Sequence, residues 1–548
     1  MSEEKTFVEK HTFLMVSLIS CFYLIIPGML EAISQGLSSF QHSNGLLTAV
    51  IWFNLWLGTI IMIYSKNIKE YFKAESTLKL LLKICNSLAS LKVTVFLLGL
   101  SLVLVFVGTL AQVEMGIWDV VEQFFRCYFS RVKISYFIPG EVTEATQRLH
   151  FFFPGGYVLG GLLLVNLLCA HSLKFKITKE KKDLAIGLIF SVAGLALIFW
   201  AVRDGIVKED IPSAYIDSYK RVLYRLLTGL GSTLVLLIGC WYLFRKRAGI
   251  VVLHFGIILL LFSELITGVY ATEGNMRITE GDYSSYVDIS RTFELAVSDP
   301  TVGHSVEKSF VIPDSLLTQT GTWHVSDKIP FDFKVNKWYD NSNISSRDKN
   351  DPTYSGLGES FQITEVTKVS GVESNTMDLP AMEIEFKDKS GKALGKYIFS
   401  LRMYLENNKS FEQELSVGDK KYNMMFRNKR EYLYSIGSSQ PVRVKLIDFR
   451  HDQYIGTSVA KNFSSLVQLV DEEKEIDRKV LISMNNPLRY TGRTFYQSSF
   501  APDESGTVLQ VVSNPGWMLP YLCCVIVGIG MLFQFILTLS KFVSRRMA

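Results

Sequence analysis

The stretch from residue 270 to 516 contains no cysteine; the seven in the chain, Cys21, Cys85, Cys127, Cys169, Cys240, Cys523 and Cys524, all lie outside it. That long segment is therefore not stapled by disulfides, whatever compartment it occupies. No C-x-x-C pair occurs, which excludes a thioredoxin-like redox centre and a C-x-x-C-H site for covalent haem attachment. A nucleotide loop, G-x-S-x-G and H-E-x-x-H are missing as well, so ordinary hydrolase chemistry has no signature here. Net charge is only +5 over 548 residues. The basic residues gather beside apolar runs, and nucleic acid is not an expected partner.

What the chain does have is hydrophobicity, 48% of its residues, concentrated in runs of roughly 17 to 23 residues, near the length a helix needs to cross a hydrocarbon core of about 30 Å. Eight runs are read: Phe13 to Ile33, Leu46 to Tyr64, Leu91 to Ala111, Phe153 to Ala170, Leu184 to Val202, Thr228 to Phe244, Ala248 to Gly268 and Met518 to Ser540. The first holds Pro27-Gly28, a kink, and Glu31 near its end. Because further spans follow it and its cleavage pattern is poor, it is read as retained rather than as a secretory signal. Cys523 and Cys524 read as small packing residues of the last span.

Basic residues set the orientation. Lys66, Lys69, Lys73, Lys79 and Lys83 lie between spans two and three, and Lys174, Lys176, Lys179, Lys181 and Lys182 between four and five. Arg245, Lys246 and Arg247 lie between six and seven, and Lys541, Arg545 and Arg546 follow span eight. Placing all four groups in the cytoplasm connects eight spans consistently, with both termini cytoplasmic and residues 270–516 outside the cytoplasmic membrane. The loops 112–152 and 203–227 then face outward despite Arg126, Arg131, Lys133, Arg148 and Lys220, Arg221, Arg225.

The outer segment alternates apolar and polar residues in short runs, as in Ala381 to Phe386, Val442 to Leu446 and Val508 to Val511. Ser390-Gly391, Asn486-Pro487, Thr491-Gly492 and Ser505-Gly506 supply turn signals. The expected fold is a polytopic α-helical membrane protein of about eight transmembrane helices, carrying one large, mostly-β extracytoplasmic domain built sheet on sheet. Its parts are 1–86, a two-span extension and cytoplasmic loop; 87–269, the membrane core; 270–516, the β-rich domain; and 517–548, the last span with a basic tail.

Span seven carries His254 and Glu264 in an otherwise apolar run. With a midpoint near Ile258, His254 lies about 6 Å to the cytoplasmic side and Glu264 about 9 Å to the outer side, roughly 15 Å apart along the helix and about 280° around it. They do not pair with each other, and each needs a partner elsewhere, because an uncompensated polar group in hydrocarbon costs several kcal/mol. A neutral imidazole is hydrogen-bonded to a neighbouring helix, a ligand, for instance of haem iron, or a proton carrier. Glu264 reads as solvated or paired. His150 and His171 flank span four at its interfaces and are given no role, and His304, His324 and His451 have no companions at metal-ligand spacing.

Four stretches, taken in order, resemble the ResB (CcsB) family of the system II cytochrome c maturation pathway: 88-LASLKVTVFLLGLSLVLVFVGTLAQ-112, 153-FPGGYVLGGLLLVNLLCAH-171, the helix 248–268, and 485-NNPLRYTGRTFYQSSF-500 followed by 514-NPGWMLPYLCCVIVGIGMLF-533. Such proteins typically have four spans with the outer domain between the third and fourth, so spans one, two, five and six here are additions. The resemblance implies a partner, CcsA (ResC), with which haem b is carried from the cytoplasmic side and presented for thioether attachment to apocytochrome c. It also implies that a histidine in the span before the outer domain is an axial ligand of that haem, which here is His254. The tryptophan-rich segment of CcsA is not found in this sequence, so the chain resembles the ResB half alone. At most it is a subunit of a cytochrome c synthase, and no catalytic residue is assigned to it. The competing expectation is a non-catalytic scaffold whose outer domain gathers apocytochrome c and CcsA while His254 only packs. A secondary transporter lacks support, since no inverted repeat or paired broken helices are apparent.

Overall fold

A computed structural model of the chain describes residues 85–138, 149–207, 218–299, 309–327, 329–347, 351–369, 377–406, 412–435, 437–456, 460–484, 486–501 and 505–547. The two apolar runs before residue 65 lie outside the described residues; the other six are all helical. The helices are α1 (Leu91–Ala111), α2 (Gly156–Lys174), α3 (Lys181–Val207), α4 (Ser218–Phe244), α5 (Ala248–Tyr270) and α6 (Leu519–Met547). By length and composition they make five candidate membrane crossings, because α4 and α5 run on as one apolar stretch of 49 residues, Val222–Tyr270. Straight, that stretch would extend about 74 Å, far beyond a hydrocarbon core of about 30 Å. It is broken instead at the tight turn Arg245–Arg247, where Arg245 takes φ 52°.

Small residues set how the helices pack, as expected where lipid competes for apolar contact. A Cβ on Gly256 would lie 2.7 Å from Val527, and one on Gly249 would lie 2.8 Å from the Gly530 carbonyl oxygen. The helices α5 and α6 are thus antiparallel and nearly in backbone contact. Helix α4 runs parallel to α6, with Gly229 beside Leu522 and Trp241 5.6 Å from Phe533, so α4 and α5 form a hairpin. Helix α3 packs antiparallel on α4 through Gly194 and Gly239. Helices α1 and α2 form a second pair, in which Asn166 accepts from Thr94 Oγ1 at 2.8 Å and donates to the carbonyls of Leu88 and Ser90.

These directions gather Lys174, Arg245 to Arg247 and the end of α6 at one end of the bundle, with the β domain at the other. One boundary is corrected. The run Phe153 to Ala170 reads as a span from its first residue, yet His150–Pro154 is a strand paired with Phe129–Lys133, and the helix starts at Gly156. Pro154 cannot continue a ladder, and a Cβ on Gly155 would sit 2.4 Å from the Cys127 carbonyl oxygen. The chain therefore turns into the helix at the glycine pair.

The β domain is built around one eight-stranded sheet. Its path runs Gln413–Val417, Lys420–Tyr432, Tyr286–Ser298, Thr272–Thr279, Gly506–Ser513, Arg493–Phe500 and Leu488–Tyr490, with Ser309–Pro313 also against Tyr286–Ser298. Two four-stranded sheets cover it side by side. One, with Phe331–Tyr339 and Ala381–Asp388 at its centre, closes a core of Leu295, Val297, Phe333, Met382, Ile384, Phe386 and Met424. The other, with Arg443–Gln453 and Ala460–Asp471, closes a core of Met276, Val287, Val444, Leu446, Val467, Phe495 and Leu509. The 13-residue strand Tyr286–Ser298 feeds both cores, and between its two paired portions Arg291 takes φ 61°. Alternation decides which side chains enter: Met382, Ile384 and Phe386 are buried, and Glu383 and Glu385 point away. The Thr491-Gly492 signal is a two-residue hairpin with both residues at positive φ, joining Tyr490 to Arg493.

Candidate functional site

His254 lies in the second turn of α5, toward the basic end of the bundle, and faces α2. Its Nδ1 is 3.1 Å from Nε2 of His171, with the two rings edge to face at 4.8 Å. His171, left without a role by the sequence, is thus the partner His254 requires. Its own Nδ1 is 2.9 Å from the Leu167 carbonyl oxygen, and its ring stacks on Phe175 at 4.4 Å. Arg247 lies over the Phe175 ring at 5.6 Å.

This chain of contacts assigns the protons. A carbonyl oxygen only accepts, so His171 Nδ1 carries hydrogen and donates to Leu167. In the neutral ring His171 Nε2 is then an acceptor, and His254 Nδ1–H donates to it. The lone pair of His254 is left on Nε2. A metal-ligating histidine characteristically donates its other ring N–H to such an acceptor, which fixes tautomer and ring orientation. The arrangement suits a group needing one imidazole from this chain. The two facing nitrogens are engaged with each other through this hydrogen at 3.1 Å, so an ion between the rings would have to displace it. No group of three His, Cys, Asp or Glu able to hold a metal ion occurs among the described residues. His254 would be the residue to hold a haem iron, with His171 as the partner that orients its ring.

The other sequence candidates fall elsewhere. Glu264 is exposed on α5, with no hydrogen bond or ion pair among the described residues. His324 stacks on Phe333 at 4.9 Å and His451 packs on Phe500 at 4.4 Å, both inside the β domain. His304 lies outside the described residues. His150 is buried in its strand, beside Phe152. Cys127 donates to the Gln123 carbonyl at 2.9 Å, and burial pushes its thiol up from the ordinary range, so it is not an activated thiolate.

At the β-domain end, the connection between α1 and α2 docks on the domain. The Arg291 guanidinium lies 3.9 Å above the Trp118 ring, and Lys368 bridges Asp119 at 3.6 Å and Asp340 at 3.0 Å. Burial alone would lower the Lys368 ammonium, but Asp340 and Asp119 carry it above its usual value. Trp517, at the entrance to α6, is held between Arg225 of α4 at 4.6 Å and Arg489 of the β domain at 4.1 Å.

Two comparisons bear on this architecture. The pattern of the ResB-like family matches residues 403–508, which lie wholly in the β domain. The chain is also similar to Protein NrfI of Wolinella succinogenes, 23% identical over 364 residues, which is 65% of this chain and 35% of NrfI. The chain spans about a third of the length of that curated relative.

Proposed function

We propose, on the ResB-like match over residues 403–508, that the chain is a membrane subunit of a cytochrome c maturation assembly. In this reading it handles haem b together with a CcsA (ResC)-like membrane protein and serves apocytochrome c. The observation that carries the reading is the His171–His254 pair, which leaves a lone pair on His254 Nε2 inside the helical bundle. When bound, haem would supply an iron that takes a nitrogen ligand. His254 offers that nitrogen, and His171 holds its ring and proton in place. Phe175 and Arg247 close over the pair from the basic end. That end is the cytoplasmic one in this reading and the β domain is extracytoplasmic, supported by the cluster of lysines and arginines opposite the domain.

The test is a haem spectrum of the chain co-purified with a CcsA-type partner, for the parent and for His254→Ala. Loss of the bound haem, restored by added imidazole, is the expected result. Unchanged haem content with unchanged cytochrome c maturation would sink the ligand role. The family match over 403–508 favours a second reading, in which the β domain is chiefly a docking scaffold. Deleting residues 275–510 then abolishes apocytochrome binding while haem stays in the membrane part; binding that survives the deletion refutes the scaffold.

A further inference from the structure

One intramembrane charge is unused by the reading above. On α5, Gly249, Val252, Gly256 and Ser263 are buried against or toward α6, and His254 faces α2. Ile257, Leu260 and Glu264, at i, i+3 and i+7, line a flank between those two contacts, while the Leu253 backbone lies against Gly530 of α6. Leu260 is 40% exposed there, and Glu264 is exposed without a hydrogen bond or ion pair among the described residues. Six residues separate Glu264 from the end of α5 at Tyr270, which sets it about 9 Å inside the helix by rise alone. A carboxylate held there facing lipid costs several kcal/mol unless something pairs with it.

Among the described residues, no cation of the chain's own helices is paired with Glu264. The apolar runs Phe13 to Ile33 and Leu46 to Tyr64 contain no Lys, Arg or His. Lys92, His171, Lys174 and Lys541 stand toward the basic end of the bundle, and Arg225 is stacked on Trp517. Arg126 comes nearest, 3.4 Å from where a Cβ on Gly268 would be, but it pairs with Glu122 at 3.3 Å. A second copy docking the same face about a two-fold axis would bring a like-charged Glu264 to the contact.

We propose that this flank of α5 is the docking face for a membrane-spanning helix of a different polypeptide, one presenting a basic side chain at the depth of Glu264. The apolar residues Ile257 and Leu260 pack against that helix, and Glu264 fixes its register and rejects spans without a cation. The inference rests on the chain being a membrane subunit of an assembly, and it does not depend on haem ligation.

The test places a photo-crosslinking amino acid at position 260 of the full chain in its native membranes, with a control at Leu102 of α1, which is 71% exposed. Position 260 is expected to give a discrete adduct with another membrane protein, the cross-linked peptide being an apolar span that contains Lys, Arg or His. Glu264→Lys lowers its yield at least about tenfold, Glu264→Gln lowers it less, and reversing the basic residue of the captured span to Glu restores the adduct with Glu264→Lys. Arg126→Gln leaves it unchanged. The same adduct forms in haem-depleted membranes, so failure of the haem reading and failure of this one are separately visible. Adducts only with lipid, with a second copy, or with residues 13–64 of the same chain overturn the proposal, as does a yield indifferent to Glu264→Lys.

Discussion

Replacing His171 by leucine separates a positioning role from a packing role. In the parent, His171 Nε2 receives the Nδ1–H of His254 at 3.1 Å, and Leu167 holds His171 in the tautomer that makes this possible. The substitution removes one neutral hydrogen bond between two membrane helices, worth about 0.6 kcal/mol on average and at most about 1.7 kcal/mol. It leaves the His254 N–H facing apolar surroundings, so the total effect on stability is about 1–3 kcal/mol. The effect on a ligand held through Nε2 is larger relative to that, since loss of an orienting partner lowers metal affinity about 10–100-fold. The assay is 15N NMR of the histidine-labelled protein without haem. The parent is expected to show His254 protonated on Nδ1 and unprotonated on Nε2, and His171→Leu to redistribute the proton between the two nitrogens. His171→Gln, which can still offer an acceptor, restores much of the parent signature. A parent spectrum with the proton on His254 Nε2 would refute the proton assignment outright. A spectrum unmoved by His171→Leu would show that something other than His171 holds the ring.

The β domain and the helix contacts give further expectations. The Glu383 carboxylate accepts from Tyr339 at 2.9 Å and Tyr354 at 3.0 Å and faces Lys396 at 3.4 Å; burial opposes ionisation, but these groups hold it below the usual carboxylate range. Its stability contribution is therefore full above the unfolded-state value of about 4.3 and is lost as pH falls through the lower folded value, so thermal unfolding scans between neutral and acidic pH should steepen in that window for the parent and flatten for Glu383→Gln. The ion pair of Arg427 and Glu294, at 2.9 Å with both side chains under a tenth exposed, stands between strands of the main sheet; Glu294→Gln is expected to cost about 3–5 kcal/mol by denaturant unfolding, while replacing both residues by apolar ones costs far less. Gly239→Leu forces side-chain atoms into the Ser191 backbone, 2.4 Å from the Cβ position, so a disulfide engineered across the α3–α4 contact should form in the parent and fail in this variant.

Elements with a strong period were legible from the sequence. Met382, Ile384 and Phe386 announce an inward face by alternation alone, and the Leu91–Ala111 helix follows its apolar run residue for residue. The boundary at Phe153 is hidden because hydropathy does not distinguish a helix from the apolar strand His150–Pro154 that precedes it. His171 carries no sequence signal because it stands at the end of a span, where a histidine needs no special partner. Only the antiparallel packing of α2 on α5 sets it opposite His254, and packing between helices separated in the chain by α3 and α4 leaves no local mark in sequence. The division of the β domain into two cores was equally hidden, since it depends on one strand, Tyr286–Ser298, serving both sheets across the irregular backbone at Arg291.

The helix that carries His254 and Glu264 enters the β domain without a linker. Tyr270 ends α5, and the strand Thr272–Thr279 begins one residue after Ala271. The strand Gly506–Ser513 pairs with it in register, Ser513 opposite Thr272, and leads within a few residues into α6. Two neighbouring strands at the middle of the large sheet are thus continuous with two helices in near backbone contact at Gly249 and Gly530. At the junction Asn514 donates to Thr267 Oγ1 at 3.3 Å and Gly516 packs beside Ile266. A shift of one strand relative to the other would expose every inward side chain of that pair, because the side-chain period is two. The strands therefore have one allowed register, and they impose it on the helices below. Any tilt of the sheet must be carried by α5 and α6 as a unit rather than absorbed by a flexible hinge. Helix α2 is held to that unit by different means, the His171–His254 contact near one end and the docking of the α1–α2 connection on the domain near the other. Motion between the domain and the rest of the bundle falls most directly on the contact between these two histidines.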